Sequence, residues 1–164
     1  MAPVLTRVFT PLTTIMLVAL FFATLVAGRP ADVTRELLII VDVVLVLVLG
    51  LLLYSVSARD RLAPAGLFDR MLLALVVMAL AVDVLMLSTM LTRIADGGVT
   101  ANKVAALGLN LILMVNLAHS ARLSWGFLRA RTAFAALEAW QMRYLPVFAV
   151  WAAVVVVVFP VLFD

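Results

Sequence analysis

This sequence predicts an all-α integral membrane protein, with five transmembrane helices plus one interfacial amphipathic helix between the fourth and fifth. Three observations predict it. Hydrophobic residues are 67% of the 164, charged residues only 13%, and mean hydropathy is +1.27; a soluble domain carries about a quarter charged residues. Five apolar stretches approach bilayer length, separated by Gly, Pro and charged punctuation. A sixth stretch, between the last two, mixes aromatics and charges at helical spacing.

The first span covers approximately residues 8–27 and stops at Gly28-Arg29-Pro30. A basic residue, an apolar run and Ala27-Gly28 also fit a secretory signal, but we expect a retained helix. The second span, 36–56, is rich in Leu and Val and holds one acid, Asp42. Ser57–Gly66 follows as a turn with Arg59 and Arg61. The third span, 67–90, carries Asp69-Arg70 at its start and Asp83 inside. Thr92–Asn102 is the next loop, punctuated by Gly97-Gly98, and Thr100 suits the cap of the following helix.

The fourth span, 104–123, carries Asn110, Asn116 and His119 in an otherwise apolar run. Such groups are costly facing lipid, so they should face protein, ligand or water. Next, Phe134, Leu137, Trp140, Gln141 and Tyr144 recur at helical spacing, with Arg131, Glu138 and Arg143 away from most of them. That pattern predicts an interfacial helix over about 127–143, anchored by Trp125, Arg129, Arg131, Trp140, Arg143 and Tyr144. The fifth span is 145–163, with Pro146 in its first turn and Pro160 in its last. Its valine run favours a strand intrinsically, but a lone strand cannot satisfy its backbone in lipid.

Five spans put the termini on opposite sides. The basic residues divide eight to four, in favour of the side holding the N-terminus and the second and fourth loops. That bias predicts a cytoplasmic N-terminus and an external C-terminus in a bacterial inner membrane. The chain has no cysteine, which excludes disulfides and thiolate metal sites, and one His, which argues against a protein-only zinc or copper site. No phosphate-binding loop, nucleophile elbow or metalloprotease motif is present, so enzyme activity is not expected. No basic run interleaved with aromatics points to nucleic acid. The expected partners are the bilayer, bound lipid and other membrane subunits.

Two places carry candidate chemistry. Asp42 lies ~9 Å along its helix from Glu36, Asn110 ~10 Å from Lys103, and Asp83 ~15 Å from Arg93. The three can therefore meet in one half of the bundle, either as a carboxylate pair handling protons or a cation or as a packing pin. The other half offers Asn116, His119, Ser120, Tyr54 and Ser55. Asn116 and His119, three apart, share a helix face. His119 can hydrogen-bond across helices, ligate a haem or chlorophyll-type magnesium, or titrate. Gly108 and Ala118 offer room beside it for a flat ring.

Three stretches carry a resemblance: RELLIIVDVVLVLVLGLLLYSVSARD, RIADGGVTANKVAALGLNLILMVNLAHSARL and FAALEAWQMRYLPVFAVWAAVVVVVFP. They resemble the C-terminal half of larger multi-pass bacterial membrane proteins from GC-rich genomes, a permease-like family of unknown function. The resemblance implies fold and membrane location and carries no activity. It also implies that His119 replaces an aromatic residue without a ligand role. Five mostly aliphatic helices make a poor stand-alone pathway. The expected function is therefore an accessory or scaffold subunit of an energy-transducing complex. The rivals are a small proton- or cation-conducting permease using Asp42 and Asp83, and a pigment- or haem-binding subunit using His119.

Overall fold

The structure is a computed structural model describing residues 2–26, 35–60 and 62–163, with backbone only at 2, 3, 5 and 35. The expected Gly28-Arg29-Pro30 stop, the first loop and Arg61 lie outside the described residues. The elements are α1 (Ala2–Val26), α2 (Arg35–Ser57), α3 (Leu67–Gly97), α4 (Ala101–Leu128), α5 (Phe134–Val157) and a short α6 (Phe159–Leu162). No strand occurs among the described residues. The first five helices are long and apolar enough to cross a membrane.

α3 is the hub, packing along α4 and α1, while α5 lies against α4 and touches α2. The core is aliphatic, built from Leu17 on α1, Val41, Leu45 and Leu52 on α2, and partners on α3 and α4. One end of the bundle gathers Thr6, Arg59, Asp69, Phe127 and Phe134; the other gathers Arg93 and Lys103. We call these the Arg59 end and the Lys103 end.

The turn between α3 and α4 is specified locally. Gly98 adopts φ +71, the left-handed region a side chain disfavours, and ends α3. Thr100 caps α4, its hydroxyl accepting from the Lys103 N–H. The Lys103 ammonium reaches back to the Arg93 and Gly98 carbonyls, at 2.9 and 2.8 Å. It thus satisfies orphan carbonyls where the α3 dipole is negative. With no breaker before Gly97, α3 runs past the expected stop at residue 90 and absorbs Thr92 and Arg93.

The interfacial helix expected over 127–143 is not a separate element. α4 continues to Leu128, a turn follows, and α5 runs unbroken from Phe134. The reason lies in the stripe itself: Phe134, Leu137 and Gln141 are 4%, 2% and 2% exposed. The face expected to lie on headgroups packs into the bundle. The turn closes through Gly126, whose carbonyl accepts from the Arg131 N–H at 2.8 Å. A Cβ at Gly126 would meet the Thr132 hydroxyl at 2.6 Å, so the close approach requires glycine. Pro146 therefore sits in the interior of α5, not in a first turn. Membrane-length helices tolerate an interior proline where neighbouring groups or a local adjustment satisfy the freed backbone carbonyl.

Candidate functional site

The fold brings Asp42 and Asn110 together, from α2 and α4, and places Asp83 of α3 deeper in the same bundle. The Asn110 side-chain N–H donates to Asp42 Oδ1 at 3.0 Å, and Met90 Sδ lies 3.5 Å from the same nitrogen. Asp83 lies two turns before Met90 on the same face of α3, about 10 Å deeper in the bundle. It is near enough to Asp42 for the two carboxylates to interact electrostatically. Asp83 and Asn110 are fully buried, and Asp42 is half-buried. Neither carboxylate oxygen of Asp83 has a hydrogen-bond partner, nor does Asn110 Oδ1. Buried polar groups are normally paired, so the two orphan oxygens of Asp83 and that of Asn110 are exceptional.

A cavity of about 460 Å³ reaches Asp42 from the Lys103 end. Asp42 and Met90 line it, with Arg93 and Lys103 among the residues near the helix ends. Toward the Arg59 end the bundle closes. Val48, Val76, Leu113 and Leu117 are 0% exposed and present only hydrocarbon.

A second polar group lies in that other half, between α4 and α5. Asn116 donates to Gln141 Oε1 at 3.2 Å, Gln141 Nε2 donates to the Ser120 hydroxyl at 2.6 Å, and Ser120 donates to the Asn116 carbonyl at 2.7 Å. These groups satisfy one another and hold two helices together. In the sequence Gln141 belongs to a stripe that suits a membrane surface equally well, so nothing local marks it as buried.

His119 is half-exposed beside a shallow groove lined by Leu80, Val84, Met114 and Arg122. Its imidazole stacks on Trp140 at 4.1 Å between centroids, and Trp140 stacks on Tyr144 at 4.9 Å. The Tyr144 hydroxyl donates to the Ile112 carbonyl at 2.9 Å. Asn116, expected beside His119, turns instead to Gln141. The room expected at Gly108 is filled by the chain's own Trp151 indole. A flat ring at His119 thus finds one imidazole face covered and no slot at Gly108.

Of the expected anchors, Trp125 is exposed with the Arg129 guanidinium 4.4 Å above its ring, and Arg131 and Arg143 are exposed. Trp140 and Tyr144 are instead pinned against α4. One unforeseen residue is Arg59, read from sequence only as a topology charge. It pairs with Asp69 at 2.7 Å and lies over the edge-to-face pair of Phe127 and Phe134, 4.7 and 4.6 Å from their centroids. It also donates to the Ala63 and Pro64 carbonyls. The signal was indirect: Arg, Pro-x-Gly and Asp within eleven residues describe a loop with its own ion pair.

Among the described residues no group of three His, Cys, Asp or Glu side chains could hold a metal ion. No protein-family model, curated protein or solved structure matches this chain.

Proposed function

We propose that this chain is a small, non-enzymatic, permease-like membrane protein that binds protons at Asp42 and Asp83. One observation supports this reading above the others: Asp83 is fully buried with both carboxylate oxygens unpaired, behind the Asp42 that ends the cavity. An ionised carboxylate without a partner in hydrocarbon is very costly. Intramembrane acids of this kind mark ion pathways. Among the described residues no third His, Cys, Asp or Glu joins these two acids to hold a metal ion, which favours the proton as the ligand.

Asn110 suits both states of Asp42. Its amide donates to the carboxylate; when Asp42 is protonated, the acid O–H can donate to the unpaired Asn110 Oδ1 after the amide turns over. Asp83 is the second acceptor. Passage onward needs the Leu113–Leu117 layer to part, so the resting protein holds a proton from one side only. We place the N-terminus in the cytoplasm of a bacterial inner membrane, from the basic-residue bias. The proton then enters from outside.

The test is proton uptake by the protein in liposomes. Infrared difference spectra across a pH step should show a carboxylic-acid band that Asp83→Asn and Asp42→Asn each diminish. Dye-reported flux down a pH gradient should fall in both variants. A wild-type spectrum without that band, in protein that also conducts nothing, overturns the reading.

A second reading, an accessory subunit packed among other membrane subunits, is favoured by Arg143. Its side chain is exposed about 13 Å into α5, where a guanidinium facing lipid is costly. A partner helix offering a carboxylate would relieve it. Co-purification in mild detergent that Arg143→Leu abolishes would favour this reading, and a partner-free monomer would remove it.

A further inference from the structure

The Arg59 end holds a cavity of about 670 Å³ between the start of α1, the end of α2 and the start of α3. We propose that it binds the headgroup of a phospholipid carrying both a phosphate and a primary amine, as in phosphatidylethanolamine. Four observations converge on it.

The cavity lies where three membrane-length helices begin or end, which is the height of the bilayer surface. Its lining mixes polar and apolar side chains. Leu67, Phe68 and Met71 on the first turns of α3 form a wall for acyl chains, and Leu67 is 73% exposed. Among the described lining residues the charges are balanced. Arg59 is committed to Asp69, which leaves the exposed Arg7 and Asp60 as a separated cation and anion. Asp60 spends one oxygen, accepting from the Leu62 N–H at 3.0 Å, and keeps the other. Finally, Ser55 lines the cavity, is 3% exposed, and its hydroxyl has no hydrogen-bond partner. A buried orphan hydroxyl facing a cavity points to a ligand acceptor.

The chemistry selects the headgroup. A singly anionic headgroup would meet Arg7 but leave Asp60 opposed to its charge. A choline headgroup offers no N–H to Asp60. A phosphate with a neighbouring ammonium satisfies Arg7, Asp60 and the Ser55 hydroxyl together. This site lies at the opposite end from the proton cluster and does not depend on it.

The experiment is native mass spectrometry of the full chain released from bilayers of equal phosphatidylethanolamine, phosphatidylglycerol and phosphatidylcholine. The ethanolamine lipid should be retained about three- to fivefold over each of the others, the scale of a partly screened ion pair. Arg7→Gln and Asp60→Asn should each remove the preference while leaving the Arg59–Asp69 pair intact. Ser55→Leu should weaken retention of the lipid by removing the hydroxyl and narrowing the cavity beside it. If a variant fails to fold, the wild type decides alone: its melting temperature should be higher in ethanolamine-lipid than in choline-lipid bilayers. Soluble phosphoethanolamine should not compete at matched concentration; full competition would identify a free headgroup metabolite and overturn the lipid. Equal retention of all three lipids, preference for the glycerol lipid, or a preference unchanged in both charge variants also overturns the proposal.

Discussion

The indole of Trp151 occupies the notch that Gly108 leaves in α4, and its Nε1 donates to the Ala105 carbonyl at 3.2 Å. A Cβ at position 108 would collide with the six-membered ring, which is rigid and cannot fold aside. Gly108→Ala should therefore destabilise the protein by about 1–3 kcal/mol, the cost of overpacking a fitted contact. Gly50, mid-helix in α2, is the control, because a Cβ there meets nothing within 4 Å. Gly50→Ala should be neutral or stabilising by up to ~1 kcal/mol from helix propensity alone. Thermal melts of both variants in one detergent check the contrast.

Arg59 ties the α2–α3 turn to the α4–α5 turn. It is paired with Asp69 and covered on one side by the two aromatic rings, and its side chain is only 10% exposed. Removing one partner of such a pair leaves an uncompensated charge and costs about 3–5 kcal/mol. Arg59→Met should show that loss, and Arg59→Lys should recover only part of it. An ammonium lacks the planar fork that reaches Asp69 and two carbonyls while stacking on both rings. The double variant Arg59→Met/Asp69→Leu should be more stable than Arg59→Met alone, because the orphaned carboxylate is gone. Melting temperatures of the three variants make the comparison.

The His119–Trp140 stack gives a different expectation. His119→Phe keeps a ring against the indole and should move stability by less than about 0.5 kcal/mol, as at a half-exposed site without buried bonds. His119→Ala should cost about 0.5–1.5 kcal/mol, the worth of one aromatic pair. Trp140 emission should change in His119→Ala and return toward wild type in His119→Phe. A visible absorption band in purified wild type that vanishes in His119→Phe would instead make His119 a pigment ligand.

The membrane-length helices were legible because hydrocarbon demands about 20 apolar residues regardless of what they touch. The meeting of Asp42 with Asn110 was legible because helical rise converts residue count into depth. Which face of α5 turns inward was not legible. Aromatic and amide residues at helical spacing suit a headgroup surface and a helix interface equally, and only the Asn116 and Ser120 partners decide that Gln141 is inside. The Trp151–Gly108 fit was hidden for a related reason. A glycine in a span reads as space, and nothing local says which side chain, 43 positions along the chain, will fill it.

Asp83 carries the sharpest opposition between stability and function. Its neighbours Ala79, Val82 and Met86 are buried, yet its two oxygens find no donor. A buried ionisable group without a hydrogen-bond partner costs its desolvation free energy, which an apolar side chain of similar volume does not. Asp83→Leu should therefore raise the melting temperature while diminishing proton uptake. Asp83→Asn should be the worse exchange, since an amide brings four hydrogen-bonding sites into a place that satisfies none. Asp42→Leu should behave oppositely to Asp83→Leu. It strands the Asn110 amide, which is fully buried and donates to Asp42 at 3.0 Å, and such an orphan costs about 1–3 kcal/mol. Parallel melts and infrared proton-uptake measurements on the three variants read both quantities. A stable Asp83→Leu protein that still takes up the same protons would assign the proton to Asp42 alone. A strongly destabilised Asp83→Leu protein would mean that the carboxylate has a structural partner, and the acid would be a packing pin.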